Sequence, residues 1–162
     1  MILNSIDINS SEVAVRKPQI YIISIMKPEP VVYVGQTCQK NGVLGRFFQH
    51  MTGGTLAEIM WKSGIYEFED VSVLAIDLSE YNIFNDVYCR KREAFEFLIQ
   101  REMKAEGCKT PIPFKVVSRV YYNGEVSNHK IEKLAKQIVK NIVDKIPFGY
   151  TDTIEKVGSK SY

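Results

Sequence analysis

The sequence predicts an α+β fold, a small antiparallel β-sheet flanked by α-helices, and three observations carry that prediction. Two short runs dense in β-branched and aromatic residues, 19–26 and 31–35, flank a turn that contains Pro28 and Pro30, which makes a hairpin. Strand-like and helix-like stretches then follow in the order β-β-α-α-β-α-β-α, without the regular alternation of a parallel α/β sheet. The last stretch places Ile131, Leu134, Ile138, Val139, Ile142, Val143 and Ile146 on one helical stripe, which needs a surface to cover.

Taken in order, residues 1–17 are polar and irregular and read as an N-terminal arm. The two prolines end the first strand, since neither continues a ladder. Gly42 and Gly45 punctuate a loop feeding a short helix over 44–51. Thr55 is placed to cap a second helix to Lys62, closed by Gly64. Residues 71–76 read as a third strand, and a long helix is expected from 85 to 106, stopped by Gly107. Residues 115–122 alternate enough for a further strand. Ser127 and Asn128 are candidate caps of the last helix, and Pro147 ends it. His129 reads as a helix-start residue. The apolar stripe of the last helix reads as core before it reads as a dimer surface. The chain shows no repeat and no long linker, so one domain is expected, with residues 111–162 packed as a C-terminal extension on residues 18–110.

Composition narrows the class. The chain has 162 residues, with 21 basic and 19 acidic side chains for a net charge of +2. No apolar run approaches the length that spans a bilayer, and no leader pattern opens the chain. Three cysteines, Cys38, Cys89 and Cys108, read as reduced thiols of a cytoplasmic protein and not as a disulfide frame or zinc site. Cys38 has no histidine close in sequence, so it reads as inert. The small net charge hides clusters: Arg90, Lys91 and Arg92 open the long helix, and lysines line the last one away from its stripe.

The stretch from Gln19 to His50 carries the chemistry. Tyr21 lies within the first strand and Tyr33 within the second, followed by Val34 and Gly35. On a hairpin, two such tyrosines emerge on one face, and glycine allows close approach of another group. Arg46 and His50, four apart, share one face of the next helix. Two phenols, a guanidinium and an imidazole suit a phosphodiester: arginine grips phosphate oxygens, while histidine or tyrosine handles protons. Each residue alone has an ordinary structural reading, as a buried tyrosine, a solvated arginine or a packing histidine. Their joint order favours a site.

In these residues the chain resembles the GIY-YIG endonuclease superfamily, named for two short strand motifs. Gln19-Ile20-Tyr21 matches the first, with glutamine where the family has glycine. Tyr33-Val34-Gly35, followed by Gln36 and Thr37, matches the second, and Arg46 and His50 match the helix pattern. Trp61 to Gly64, then Phe68 and Glu69, also resembles phage homing members. The literal string Gly64-Ile65-Tyr66 reads as coincidence, because no partner motif follows it at hairpin distance. The resemblance spans about residues 17–100.

The resemblance implies a Mg²⁺- or Mn²⁺-dependent endonuclease acting on double-stranded DNA. It implies Tyr21, Tyr33, Arg46 and His50 as catalytic residues. It also implies a metal-holding glutamate on the long helix, for which Glu93 and Glu96 rank level and Glu102 third. Lys40, Arg90, Arg92 and Asn123 are the candidate phosphate or DNA contacts, with Asn123 in Tyr121-Tyr122-Asn123 the nearest match to a family asparagine. The mechanism it implies has Tyr21 orienting or deprotonating water and Arg46 stabilising phosphate charge. A self-contained chain of this size looks like a restriction-type, phage or defence nuclease, for which a homodimer is expected. The alternative is a catalytically silent nucleic-acid-binding module of the same fold.

Overall fold

The computed structural model describes residues 3–5, 16–27, 29–62, 69–85, 88–119, 122–143 and 146. Five strands and four α-helices run in the order β1 Leu3–Ser5, β2 Gln19–Lys27, β3 Val31–Thr37, α1 Gly42–Met51, α2 Thr55–Lys62, β4 Glu69–Asp77, α3 Arg90–Gly107, β5 Lys115–Val116 and α4 His129–Ile142. Short 3₁₀ turns occupy Asn82–Phe84 and Gly124–Ser127.

The expected hairpin forms, though Pro28 of its turn lies outside the described residues, and β2 lies between β3 and β4 in a sheet of order β1-β4-β2-β3-β5. The sheet is mixed, because β5 pairs with β3 in parallel, which corrects the antiparallel expectation. The arm also contributes structure: Leu3–Ser5 pairs with Leu74–Ile76 at the other edge.

Both faces of the central strands are covered, which is why β2 reads as an unbroken apolar run. On one face Ile20, Ile22, Val32, Val34, Leu74 and Ile76 pack with α3 and α4. On the other, Tyr21, Ile23, Val31, Tyr33, Val73 and Ala75 pack with Val43 of α1 and with Leu56 and Met60 of α2. The tyrosines therefore belong to the α1–α2 layer, and the sheet separates them from α4. The stripe of α4 is core: Ile131, Ile138, Val139, Ile142, Val143 and Ile146 are buried, with Leu134 partly covered.

Two elements differ from expectation. The long helix starts at Arg90 and not at 85, because Cys89 has φ 60°, left-handed backbone that no helix continues through. The strand expected over 115–122 is paired at Lys115–Val116, since beyond it the Ser118 hydroxyl replaces a backbone partner and accepts from the Val34 N–H at 2.7 Å. Gly64, the Gly64-Ile65-Tyr66 string, Phe68, Tyr121, Lys145 and Pro147 lie outside the described residues.

Candidate active site

Strand register builds the first half of the site. Tyr21 pairs with Gly35 and Tyr33 with Ile23, so the two phenols are diagonal neighbours on one face. Their rings stack, with centroids 6.3 Å apart and planes 22° from parallel. Gly35 makes this possible: a Cβ there would meet Tyr21 Cζ and Oη, each at 2.2 Å. The glycine of the second motif is thus the floor on which the Tyr21 ring lies. At the position where the family has its first glycine, Gln19 is buried and keeps its register with Thr37 and Asp77.

The second half comes from α1. Its fourfold spacing turns Arg46 and His50 toward the tyrosines. The Tyr21 hydroxyl and His50 Nε2 are hydrogen-bonded at 2.8 Å, and the His50 ring lies 4.5 Å from that of Tyr33. Arg46 donates from Nη1 to Gln49 Oε1 at 2.9 Å. Two polar atoms here, Arg46 Nε and His50 Nδ1, are buried without a hydrogen-bond partner among the described residues. Both atoms are left available to a water or a ligand at this place.

Burial dominates the electrostatics. It pushes the Tyr21 phenol well above its ordinary value, aided by Tyr33 and opposed by Arg46. Burial, with the nearby Glu96 charge, raises Tyr33 to about 12. Burial and the Arg46 charge lower His50 to about 4, so its imidazole is neutral at pH 7. Burial first and Glu93 second raise Glu96 to about 8, against the pull of Arg46.

The same couplings reach Glu96 and distinguish the surroundings of the three candidate glutamates. Glu96, on α3, is 7% exposed and electrostatically coupled to Tyr21, Tyr33 and Arg46. Glu93, one turn earlier, is exposed and close enough to act on Glu96. Glu102 accepts from Arg101 Nη2 at 2.6 Å. Among the described residues no cluster of three or more His, Cys, Asp or Glu side chains is assembled for a metal. A hard divalent cation that keeps most of its waters needs only one or two carboxylates, so Glu96 with Glu93 beside it fits one. A cation at Glu96 would favour its charged form and so lower its pKa.

The remaining candidates divide. Lys40 and Arg90 are exposed, before α1 and at the start of α3. Arg92 is buried, donating to the Phe84 carbonyl and to the sulfurs of Cys38 and Cys89, which takes it out of the surface cluster. Asn123 donates to the Arg90 carbonyl at 3.0 Å and caps the 3₁₀ turn through Glu125 N–H, so its side chain is committed to holding the start of α3.

Sequence reasoning missed Gln100. Its amide donates to the Val34 carbonyl at 3.4 Å and to Glu96 Oε1 at 3.5 Å, linking the carboxylate helix to the motif strand. The visible signal was its position four residues after Glu96. No described helix is long and apolar enough to cross a membrane. Comparisons with protein-family models, curated proteins and solved structures find no match to this chain, so its functional reading rests on this geometry and on the motif resemblance.

Proposed function

We propose that this chain is a divalent-metal-dependent endonuclease that hydrolyses DNA phosphodiester bonds. The observation that carries the reading is the convergence of Tyr21, Tyr33, Arg46, His50 and the buried Glu96 carboxylate from two strands and two helices. A phosphodiester needs positive charge on its oxygens, a proton acceptor for water and a way to stabilise the leaving oxygen.

Arg46 supplies fixed positive charge, and its unpartnered Nε offers a donor to a phosphate oxygen. Tyr21 and His50 form the proton path. The imidazole is neutral at pH 7 and hydrogen-bonded to the Tyr21 hydroxyl, so the phenol can pass its own proton to His50 Nε2 as it takes one from water. With its pKa above the ordinary value, the resting phenol stays protonated and offers no base. It becomes competent only when positive charge is added beside it. Glu96, with Glu93 beside it, would hold a Mg²⁺ or Mn²⁺ ion, which would supply that charge and Lewis-acid polarisation of the phosphate. Tyr33, whose ring stacks on that of Tyr21 and lies tilted 4.5 Å from that of His50, would donate its hydroxyl to a second phosphate oxygen.

The test is nicking of supercoiled plasmid with Mg²⁺ or Mn²⁺. The wild type is expected to cut, and Tyr21→Phe, Arg46→Ala and Glu96→Gln each to lose about 100-fold or more while remaining folded. Duplex binding without cutting by the wild type would favour the silent binding module. Wild-type cutting rates in all three variants would remove the site from the reaction.

A further inference from the structure

Cys38 lies between β3 and α1, which carries Arg46 and His50; Cys89 immediately precedes α3, which carries Glu96. Although distant in sequence, their sulfurs accept from the same atom, Arg92 Nη2, which is 3.4 Å from Cys38 Sγ and also bonded to Cys89 Sγ. The two thiols are also close enough to influence each other electrostatically. Both are half-buried, whereas the third cysteine, Cys108, is exposed on the far end of α3. Cys89 is further marked by its left-handed φ of 60°, a conformation that costs a non-glycine residue energy and persists where surroundings hold it. A guanidinium in contact with two neighbouring sulfurs is the setting in which a thiolate forms and attacks.

We propose that Cys38 and Cys89 are an oxidation site that closes to an intramolecular disulfide with a peroxide as oxidant. One thiolate attacks a peroxide oxygen, giving a sulfenic acid and releasing one water after proton transfer. The second sulfur then displaces the hydroxyl from the first, forming the S–S bond and a second water. Two electrons leave the sulfurs and reduce the peroxide, and no metal takes part. Arg92 keeps its bond to the Phe84 carbonyl while losing its two thiol acceptors. The product ties the loop after β3 to the start of α3, the two segments that bracket the site. Burial holds the Cys89 thiol above its ordinary value and Arg92 pulls it back, so the guanidinium is what favours the thiolate.

The test uses the full chain with Cys108→Ser, which leaves the two thiols in question. After dilute hydrogen peroxide, the monomer is expected to lose about 2 Da, to show no alkylatable thiol, and to yield a Cys38–Cys89 peptide pair that dithiothreitol separates. Adding Cys89→Ser should replace the crosslink by a sulfenic acid at Cys38, trapped by dimedone. Two alkylatable thiols after peroxide, independent oxygen additions on each sulfur, or disulfide-linked dimers alone would overturn the proposal. None of these measurements depends on cleavage activity, so they stand or fall apart from the nuclease reading.

Discussion

A methyl group at residue 35 has nowhere to go, because the Tyr21 ring occupies the place where it would sit. Gly35→Ala must therefore displace the phenol or bend β3. It is expected to cost about 1–3 kcal/mol in chemical denaturation and to depress nicking more than that loss of stability explains. An unchanged midpoint and rate would show that the ring is not held there. Glu96 gives a second prediction, in pH. Its carboxyl titrates near the usual value when unfolded but at about 8 when folded. The folded state then holds the extra proton, so stability is lost as pH rises from about 4.5 to 8. His50 acts at the other end: its folded value near 4 lies below the ordinary 6.5, so stability is lost as pH falls through that window. Glu96→Gln should be more stable than wild type at pH 8 by about 1–3 kcal/mol and equal to it near pH 4.5, read from denaturant midpoints. Calcium should stabilise the wild type at pH 8 and leave Glu96→Gln unmoved. A wild type indifferent to calcium would remove Glu96 as the cation's ligand.

At the scale of elements, the hairpin and α4 were legible because their signals are local. β2 ends at Lys27, just before the prolines of the sequence, and Asn128 caps α4, accepting from Lys130 and Ile131 N–H. The glutamate was not legible. Choosing Glu96 over Glu93 and Glu102 depends on which face of α3 meets the motif strand, and that contact is long-range. The start of α3 was misplaced because the left-handed turn at Cys89 has no glycine or asparagine to announce it. Arg92 read as surface charge because its partners, Phe84 and Cys38, come from other elements. Ser118 shows the same limit, since a hydroxyl standing in for a strand partner is invisible to alternation. That role separates two otherwise similar substitutions. Ser118→Ala leaves the Val34 N–H without its acceptor in the strand that carries Tyr33, at about 1–3 kcal/mol. Asn128→Ala removes a helix cap for about 1 kcal/mol. Only Ser118→Ala is expected to slow nicking at a temperature where both variants are fully folded; equal rates would make the Ser118 bond purely structural.

At the scale of the molecule, a net charge of +2 conceals a division between the two sides of the sheet. Tyr21, Tyr33, Arg46 and His50 occupy the α1–α2 side, and α4 with its exposed lysines belongs to the α3 layer on the other. Cys38 and Cys89 share Arg92 Nη2, which brings the loop before α1 against the start of α3, and these two segments carry the exposed Lys40 and Arg90. A duplex seated on the site would meet those two cations and not Lys130 or Lys140. Each phosphate neutralised releases condensed counterions, so log affinity falls with log salt by about 0.9 per contact. Replacing Lys40 and Arg90 together by alanine should flatten that slope by about 2 and weaken binding at low salt. The pair Lys130→Ala and Lys140→Ala removes the same charge and should leave the slope unchanged. Fluorescence anisotropy of a labelled duplex in calcium, across a salt series, measures both without cleavage. Equal losses from the two pairs would mean that charge alone, and not the end of the molecule that carries it, draws DNA to the protein.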